Sequence, residues 1–148
     1  MYPPDSAIPA HVTTSRSWIV NPMVPSVRLN EILVRNDSAV PVGSKFPDLV
    51  ELLNPGSNVV SLTGMGLTDE PDQPFKFVFP AGTTLGPGQY LVLYADSDAT
   101  PPGFHLGFSF KQNGDELFFT AGNGMLFDSV TFGPQLADRS IGRLADGS

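Results

Sequence analysis

The chain has 148 residues, no cysteine and a formal net charge of −7. The lack of cysteine excludes disulfides and thiolate metal sites. The negative charge argues against nucleic-acid binding, which depends on Lys and Arg at phosphates. Glycine and proline occur 15 times each, and so many chain breakers predict short strands joined by tight turns.

Residues 1–26 contain five of the prolines and no sustained hydrophobic period. We interpret them as a Pro-rich linker or the tail of a preceding domain, with a short docked piece at RSWIV. Trp18 in that piece is expected to cover an apolar patch or a sheet edge, or to belong to the preceding domain. This region does not resemble a signal peptide. No segment reaches the ~20 apolar residues of a membrane-spanning helix.

From Val27 onward, apolar and polar residues alternate in short runs. The first run, VRLNEILV, is expected to place Val27, Leu29 and Glu31 on one face of a strand. Seven further runs are DLVELLN, NVVSL, FKFVF, QYLVLYA, FHLGFSF, DELFFT and MLFDSVTF. Turns rich in Gly, Pro, Asn and Asp separate them, and this pattern predicts an all-β sandwich or barrel.

Two carboxylates, Asp48 and Glu51, stand three residues apart in the run DLVELLN. On a helix they would share a face, but on a strand residues three apart face opposite sides of the sheet. They are therefore not expected to act together as an acid/base pair. The turn at Asn54 to Gly56 supports the strand interpretation, because Pro fixes φ and Gly accepts a positive φ.

Structural roles are expected for the polar residues around these runs. Side chains of Asn and Asp should bond turn and loop backbones. Glu31 or Glu51 is expected to pair with an arginine such as Arg139 or Arg143. That pair would tie the C-terminal RSIGR sequence to an early strand and close the fold.

Two acidic loops offer oxygen atoms that calcium could use, one with Asp69, Glu70 and Asp72 and one with Asp96 and Asp98. Neither matches an EF-hand, so solvated turn residues are the favoured interpretation and calcium is the alternative. A carbohydrate platform is a second alternative for exposed aromatics, although core packing is favoured for them. The candidate aromatics are Tyr90, Tyr94, Phe104, Phe108 and Phe118.

Enzymatic signatures are missing from the sequence. The two histidines, His11 and His105, lie far apart, and no G-x-S-x-G occurs. The paired glycines of GMGLTD and GNGMLF lack the third glycine of a dinucleotide site. We therefore predict no catalytic site and no cofactor.

Several ordered blocks resemble the lamin tail domain, in particular its versions in large exported bacterial multidomain proteins. The blocks are VRLNEIL, the long stretch from FPDLVELLNPGS to YLVLYAD, and DSVTFGPQLADRSIGRLADG. Leu49 and Met65 stand where the family usually has tryptophan. The resemblance implies an immunoglobulin-like β-sandwich over residues 27–148 with no chemistry of its own. It assigns structural roles to Asn30, Glu31, Asp48, Glu51, Asn54, Gly64, Asp69, Gly82, Ser140, Gly142 and Arg143.

The resemblance also implies a function. We expect a non-catalytic interaction or accessory module of a larger exported bacterial protein, located outside the cell or at its surface, with its export signal outside this chain. It would bind a protein or a cell-surface component through loops or a strand edge. No nucleic acid, membrane insertion or cofactor is expected. The alternative is a stand-alone domain for calcium-assisted adhesion or polysaccharide binding.

Overall fold

The computed structural model describes residues 16–20, 26–97 and 102–143, which form strands, turns and loops. Its twelve strands, in chain order, are β1 (Arg16–Val20), β2 (Arg28–Leu33), β3 (Asp48–Leu53), β4 (Val60–Ser61), β5 (Gly66–Thr68), β6 (Phe77–Val78), β7 (Thr84–Leu85), β8 (Tyr90–Ala95), β9 (Phe104–His105), β10 (Asp115–Thr120), β11 (Leu126–Phe132) and β12 (Ser140–Gly142). No described residue belongs to a helix that is long and apolar enough to cross a bilayer.

Two five-stranded sheets form the layers of the domain. The first sheet has the strand order β1-β11-β10-β5-β6, and the second has the order β12-β2-β3-β8-β9. All of these pairings are antiparallel except that of β8 with β9. Strands β4 and β7 form a separate two-stranded ribbon. The prediction of an all-β fold with mostly antiparallel sheets is therefore confirmed.

The apolar core lies between the two large sheets. In β3, β8, β10 and β11, inward-pointing residues alternate with outward-pointing ones, as the pleat of a strand requires, and most of the inward-pointing residues are buried. The second sheet contributes Leu29, Ile32, Val50, Leu52 and Leu93, and the first contributes Leu67, Leu117, Phe119, Val130 and Phe132. Two sheets packed face to face over one such core make a sandwich, so the barrel alternative is wrong.

The prediction that Val27, Leu29 and Glu31 share one face of β2 is wrong, because this strand contains a β-bulge. Leu29 pairs with Leu52 and Glu31 pairs with Glu51, so Asn30 is an extra residue without a partner on β3. Such a residue reverses the alternation beyond it. Leu29 and Ile32 are therefore both buried in the core, and Glu31 lies on the outer face instead of sharing the face of Val27 and Leu29.

Strand β1 lies within the segment that we interpreted as a linker with a docked piece. It pairs with β11 along its whole length, from Arg16 opposite Phe132 to Val20 opposite Asp128. Trp18 packs against the core as the sequence predicted. Residues 1–15 and 21–25 lie outside the described residues, so the boundary at residue 26 stays a prediction.

Candidate functional site

The outer face of the second sheet carries two rows of side chains across β2, β3 and β8. Inward-facing residues alternate with these, so the rows are fixed by the pleat and by the strand register. The apolar row contains Leu33, Leu49 and Tyr94. The second row, which we call the acidic row, contains Glu31 and Glu51 and ends at Val92 on β8. Val92 keeps 40% of its surface exposed. The sheet face therefore offers apolar contact area and two carboxylates side by side.

A loop turns this face into a groove. The segment 40–42, Val-Pro-Val, stands beside the two rows and lines a cavity of about 410 Å³ together with them. A mutual pair of backbone hydrogen bonds between Val42 and Lys45 closes the turn that follows. We call this cavity the outer groove. It has the size and the mostly apolar lining of a site that accepts a small ligand or a side chain.

Asn36 holds the loop wall of the outer groove in place. Its Nδ2 donates to the carbonyl oxygens of Val40 (2.7 Å) and Pro47 (2.8 Å), and its Oδ1 accepts from the amide of Val40 (3.0 Å). The Asn36 side chain is buried, so these bonds replace the water that it loses. This arrangement makes the wall a preformed part of the groove.

Asp138 fixes the segment that leads into the same wall. Its Oδ1 accepts from the amides of Asp37 and Ser38 at 2.8 Å and from that of Ala39 at 3.0 Å. Its Oδ2 accepts from the Ser38 hydroxyl at 2.6 Å. These bonds, led by the one from the Ser38 side chain, favour the carboxylate and lower the pKa of Asp138 to about 2.

The effect of Asp138 on stability should depend on pH. A carboxyl whose pKa falls from 3.8 in the unfolded chain to about 2 in the fold stabilises the fold above pH 3.8, and this contribution disappears as the pH falls to about 2. The melting temperature of Asp138→Asn should therefore lie below that of the native chain at pH 6 and converge with it near pH 2. The exposed Asp72→Asn is the matched control. If the difference in melting temperature between Asp138→Asn and the native chain stayed constant from pH 6 to pH 2, the ionised carboxylate of Asp138 would not be what stabilises the fold.

Several of the predicted site residues lie away from the outer groove. Asp48 lies on the opposite face of β3 from Glu51, and its Oδ1 accepts from the amides of Arg35 (2.9 Å) and Asn36 (3.4 Å). Burial raises the pKa of Asp48, and these amide bonds oppose the increase. The carboxylates of Asp48 and Glu51 therefore lie on opposite faces of the sheet and do not form an acid/base pair.

Four more of the predicted residues lie in turns away from the groove. Gly64 and Gly82 adopt positive φ angles of 75° and 86° in facing turns, where the amide of Gly82 donates to Thr63 Oγ1 at 3.0 Å. Asp69 binds Lys76 Nζ at 2.8 Å. Asn54 is fully buried and bonds the backbone of the turn that follows it, as the sequence predicted for such residues.

The comparison with known families identifies the chain. The family model described as Lamin Tail Domain matches residues 22–134. The chain belongs to the lamin tail domain family. This confirms the resemblance seen in the sequence and makes the sandwich an immunoglobulin-like domain of a family that is not enzymatic. No curated protein matches the chain.

The family match includes most of the outer groove's surroundings but not every supporting residue. Residues 31–94, which supply the floor and the wall, lie inside the lamin tail domain match. Strand β1, Asp138 and strand β12 lie outside it. Strand β12 borders the groove, because Ser140 pairs with Leu33 and Gly142 pairs with Glu31. Residues outside the matched range therefore complete the edge and the loop around the groove.

The predicted partner of Arg143 is wrong. Arg143 does not pair with Glu31 or Glu51; its guanidinium binds Asp128 Oδ1 at 2.5 Å, with both side chains only 1% exposed. Asp128 also accepts from the amides of Leu29 (2.8 Å) and Ser129 (2.9 Å). The sequence carried one signal for Asp128: a single carboxylate inside the apolar run MLFDSVTF.

Arg143 joins both sheets and both ends of the described chain. Its guanidinium carbon lies 4.1 Å from the ring centroid of Trp18 on β1, within cation–π range. Its amide donates to the carbonyl of Asn30 on β2 at 3.0 Å. Burial raises the pKa of Asp128 and lowers that of Arg143, and their mutual attraction opposes both changes. We call Arg143, Asp128 and Trp18 the arginine clasp.

The alternatives of calcium and carbohydrate receive little structural support. Asp69 and Glu70 both bind Lys76 Nζ, at 2.8 and 3.1 Å. The ammonium group of this lysine therefore already neutralises the two carboxylates. Asp96 binds His105, and Asp98 lies outside the described residues. Within the described ranges, no group of three or more His, Cys, Asp or Glu residues could hold a metal.

The candidate aromatics do not make one exposed platform. Phe108 is buried, and Phe104 packs against Phe77 and Phe79 at centroid distances of 6.1 and 5.6 Å. Tyr94 lies beside His105, with their ring centroids 5.1 Å apart. Tyr90, by contrast, is 59% exposed. Most of these rings therefore contribute to packing.

Proposed function

We propose that this lamin tail domain is a non-catalytic interaction module of a larger exported bacterial protein and that it binds a protein partner in the outer groove. The groove itself carries the proposal: it is an open, preformed cavity of about 410 Å³ on a sheet face. Apolar residues and a few placed polar groups make up its lining, as in sites of recognition. The location outside the cell follows from the resemblance to exported bacterial members and is part of the proposal.

A sheet face is a better candidate than a strand edge in this domain. Strand addition requires a row of unpaired backbone groups long enough for a partner strand. The outermost strands β6 and β9 have two residues each, and β12 has three. Strand β1 is the fourth outermost strand and has five residues, so three of the four sheet edges are too short for a partner strand. Short edge strands protect a sheet against additional strands.

Site-specific crosslinking tests this proposal. The chain would be prepared with the photo-crosslinking residue p-benzoylphenylalanine at Val92 in the groove or, as the control, at Val59, which is 64% exposed in a distant turn. Each protein is then irradiated with the secreted and surface proteins of the source organism. We expect one crosslinked partner from Val92, identified by mass spectrometry and competed by excess unlabelled chain.

The control decides how the crosslinking result is interpreted. Equal crosslinking from Val92 and Val59, or none from Val92, would contradict binding in the outer groove. The measured mass of the native polypeptide tests the remaining part of the proposal. A mass well above the 15.8 kDa of this chain supports a multidomain protein, and an equal mass contradicts it.

A further inference from the structure

The two carboxylates of the outer groove are placed next to each other by the chain itself. Glu31 and Glu51 are directly opposite across β2 and β3. Like charges at such positions destabilise a sheet, because facing side chains lie only about 5 Å apart at their Cβ atoms. No ion pair among residues 16–20, 26–97 and 102–143 neutralises either of them. The arrangement thus has a cost to stability and no cationic partner within the described part of the fold.

The bulge in β2 is the feature that creates this acidic pair. If β2 were regular and Asn30 paired with a residue of β3, Glu31 would lie two positions after Leu29 and share its core-facing side. Asn30 also donates from its Nδ2 to Glu51 Oε1 at 2.7 Å, which orients that carboxylate. One residue therefore turns Glu31 outward and holds Glu51 in position. Bulges commonly re-aim side chains beside functional sites.

We infer that the outer groove binds a lysine or arginine side chain of a partner protein, flanked in the partner by an apolar residue. Charge complementarity selects this occupant: the two glutamates supply the anionic end, and Leu33, Leu49 and Tyr94 supply the apolar row. Lysine and arginine have an apolar stem and a charged end, so one side chain can contact both rows. The inference rests on the proposed function, since it specifies the partner's chemistry.

Other occupants fit the groove less well. Calcium takes six to eight oxygen ligands, and two carboxylates with one neighbouring amide oxygen fall short of that number. A second copy of this chain carries a net charge of −7 and would be repelled at long range. A basic segment, by contrast, is attracted by the overall charge as well as by the two glutamates.

Two matched peptides test the inference. The probes are acetyl-Val-Arg-Leu-Val-amide and the same peptide with citrulline, which has the shape of arginine without its charge. They are titrated into the full ¹⁵N-labelled chain and followed by amide chemical shifts. We expect the arginine peptide to bind at least about fivefold more tightly, because hydrogen bonds to charged groups are roughly twice as strong as neutral ones. The shifts should centre on Leu33, Glu51 and Val92.

Matched variants separate the acidic pair from the overall charge. Glu31→Gln combined with Glu51→Gln should abolish the preference for arginine over citrulline. Glu116→Gln combined with Asp72→Asn changes the net charge equally, on other parts of the surface, and should preserve it. Should the first double variant fail to fold, the single Glu31→Gln leaves the bond between Asn30 and Glu51 and should reduce the preference.

Each outcome has a definite meaning. Equal affinity of the two peptides, binding by neither, or an equal loss in both double variants would overturn the inference. If Val92 still crosslinks to a partner in that case, the proposed function stands and only the partner's chemistry is wrong. If Val92 crosslinks no more than Val59, the proposed function also fails. Binding that requires calcium and disappears with EDTA would overturn the inference in favour of a metal site.

Discussion

Replacing Arg143 with methionine should lower the free energy of unfolding by about 3–5 kcal/mol, because it leaves the buried carboxylate of Asp128 without its counter-charge. Methionine retains an apolar stem that can pack against Trp18, so lost packing contributes little. Chemical unfolding followed by circular dichroism measures the effect. Trp18 is the only tryptophan in the chain, and its fluorescence reports separately on the contact between β1 and the arginine clasp.

Two further variants show whether the buried charge explains the loss. The exposed Arg139→Met removes the same charge from the surface and should change stability by no more than about 0.5 kcal/mol. Adding Asp128→Asn to Arg143→Met removes both charges, while the amide oxygen can still accept from the amide of Leu29. This double variant should recover part of the stability. A loss below about 1 kcal/mol in the single variant would contradict a buried, charge-dependent clasp.

The strands that the sequence predicted well are those with unbroken alternation. In β3, Val50 and Leu52 point inward and Glu51 points outward, as their polarity indicates. In β2 the same argument fails after Asn30, because a bulge depends on backbone pairing and leaves no mark in the order of polar and apolar residues. The outer position of Glu31 was therefore not predictable from its neighbours.

The sequence pattern also did not predict which charged residues bind each other. The binding of Arg143 by Asp128 depends on how the C-terminal strand crosses the sandwich, which alternation does not encode. The family resemblance singled out Arg143 but not Asp128. The outer groove also escaped prediction: the sequence favours core packing for Tyr94, and only the fold shows that this ring lines the outer face beside Leu33 and Leu49.

Asn54 is the second residue whose replacement should have a large effect. It is fully buried, and its Nδ2 donates to the carbonyls of Asn58 (2.8 Å) and Leu85 (2.9 Å). Its Oδ1 accepts from the Ser26 hydroxyl at 2.6 Å and from the amide of Gly56 at 3.0 Å. One amide side chain thus satisfies four polar groups from three parts of the chain.

Asn54→Asp changes almost no volume but removes both donated hydrogen bonds and places a carboxylate beside two carbonyl oxygens. We expect a loss of about 3–5 kcal/mol at neutral pH in chemical unfolding, since the introduced charge has no cation beside it. The loss should shrink at pH 4, where the protonated carboxyl regains one donor. The matched control, Asn58→Asp, makes the same change at an exposed position four residues away and should cost no more than about 0.5 kcal/mol. If both variants were equally stable, the turn would not depend on Asn54 as a donor, and its signature role in this domain would need another explanation.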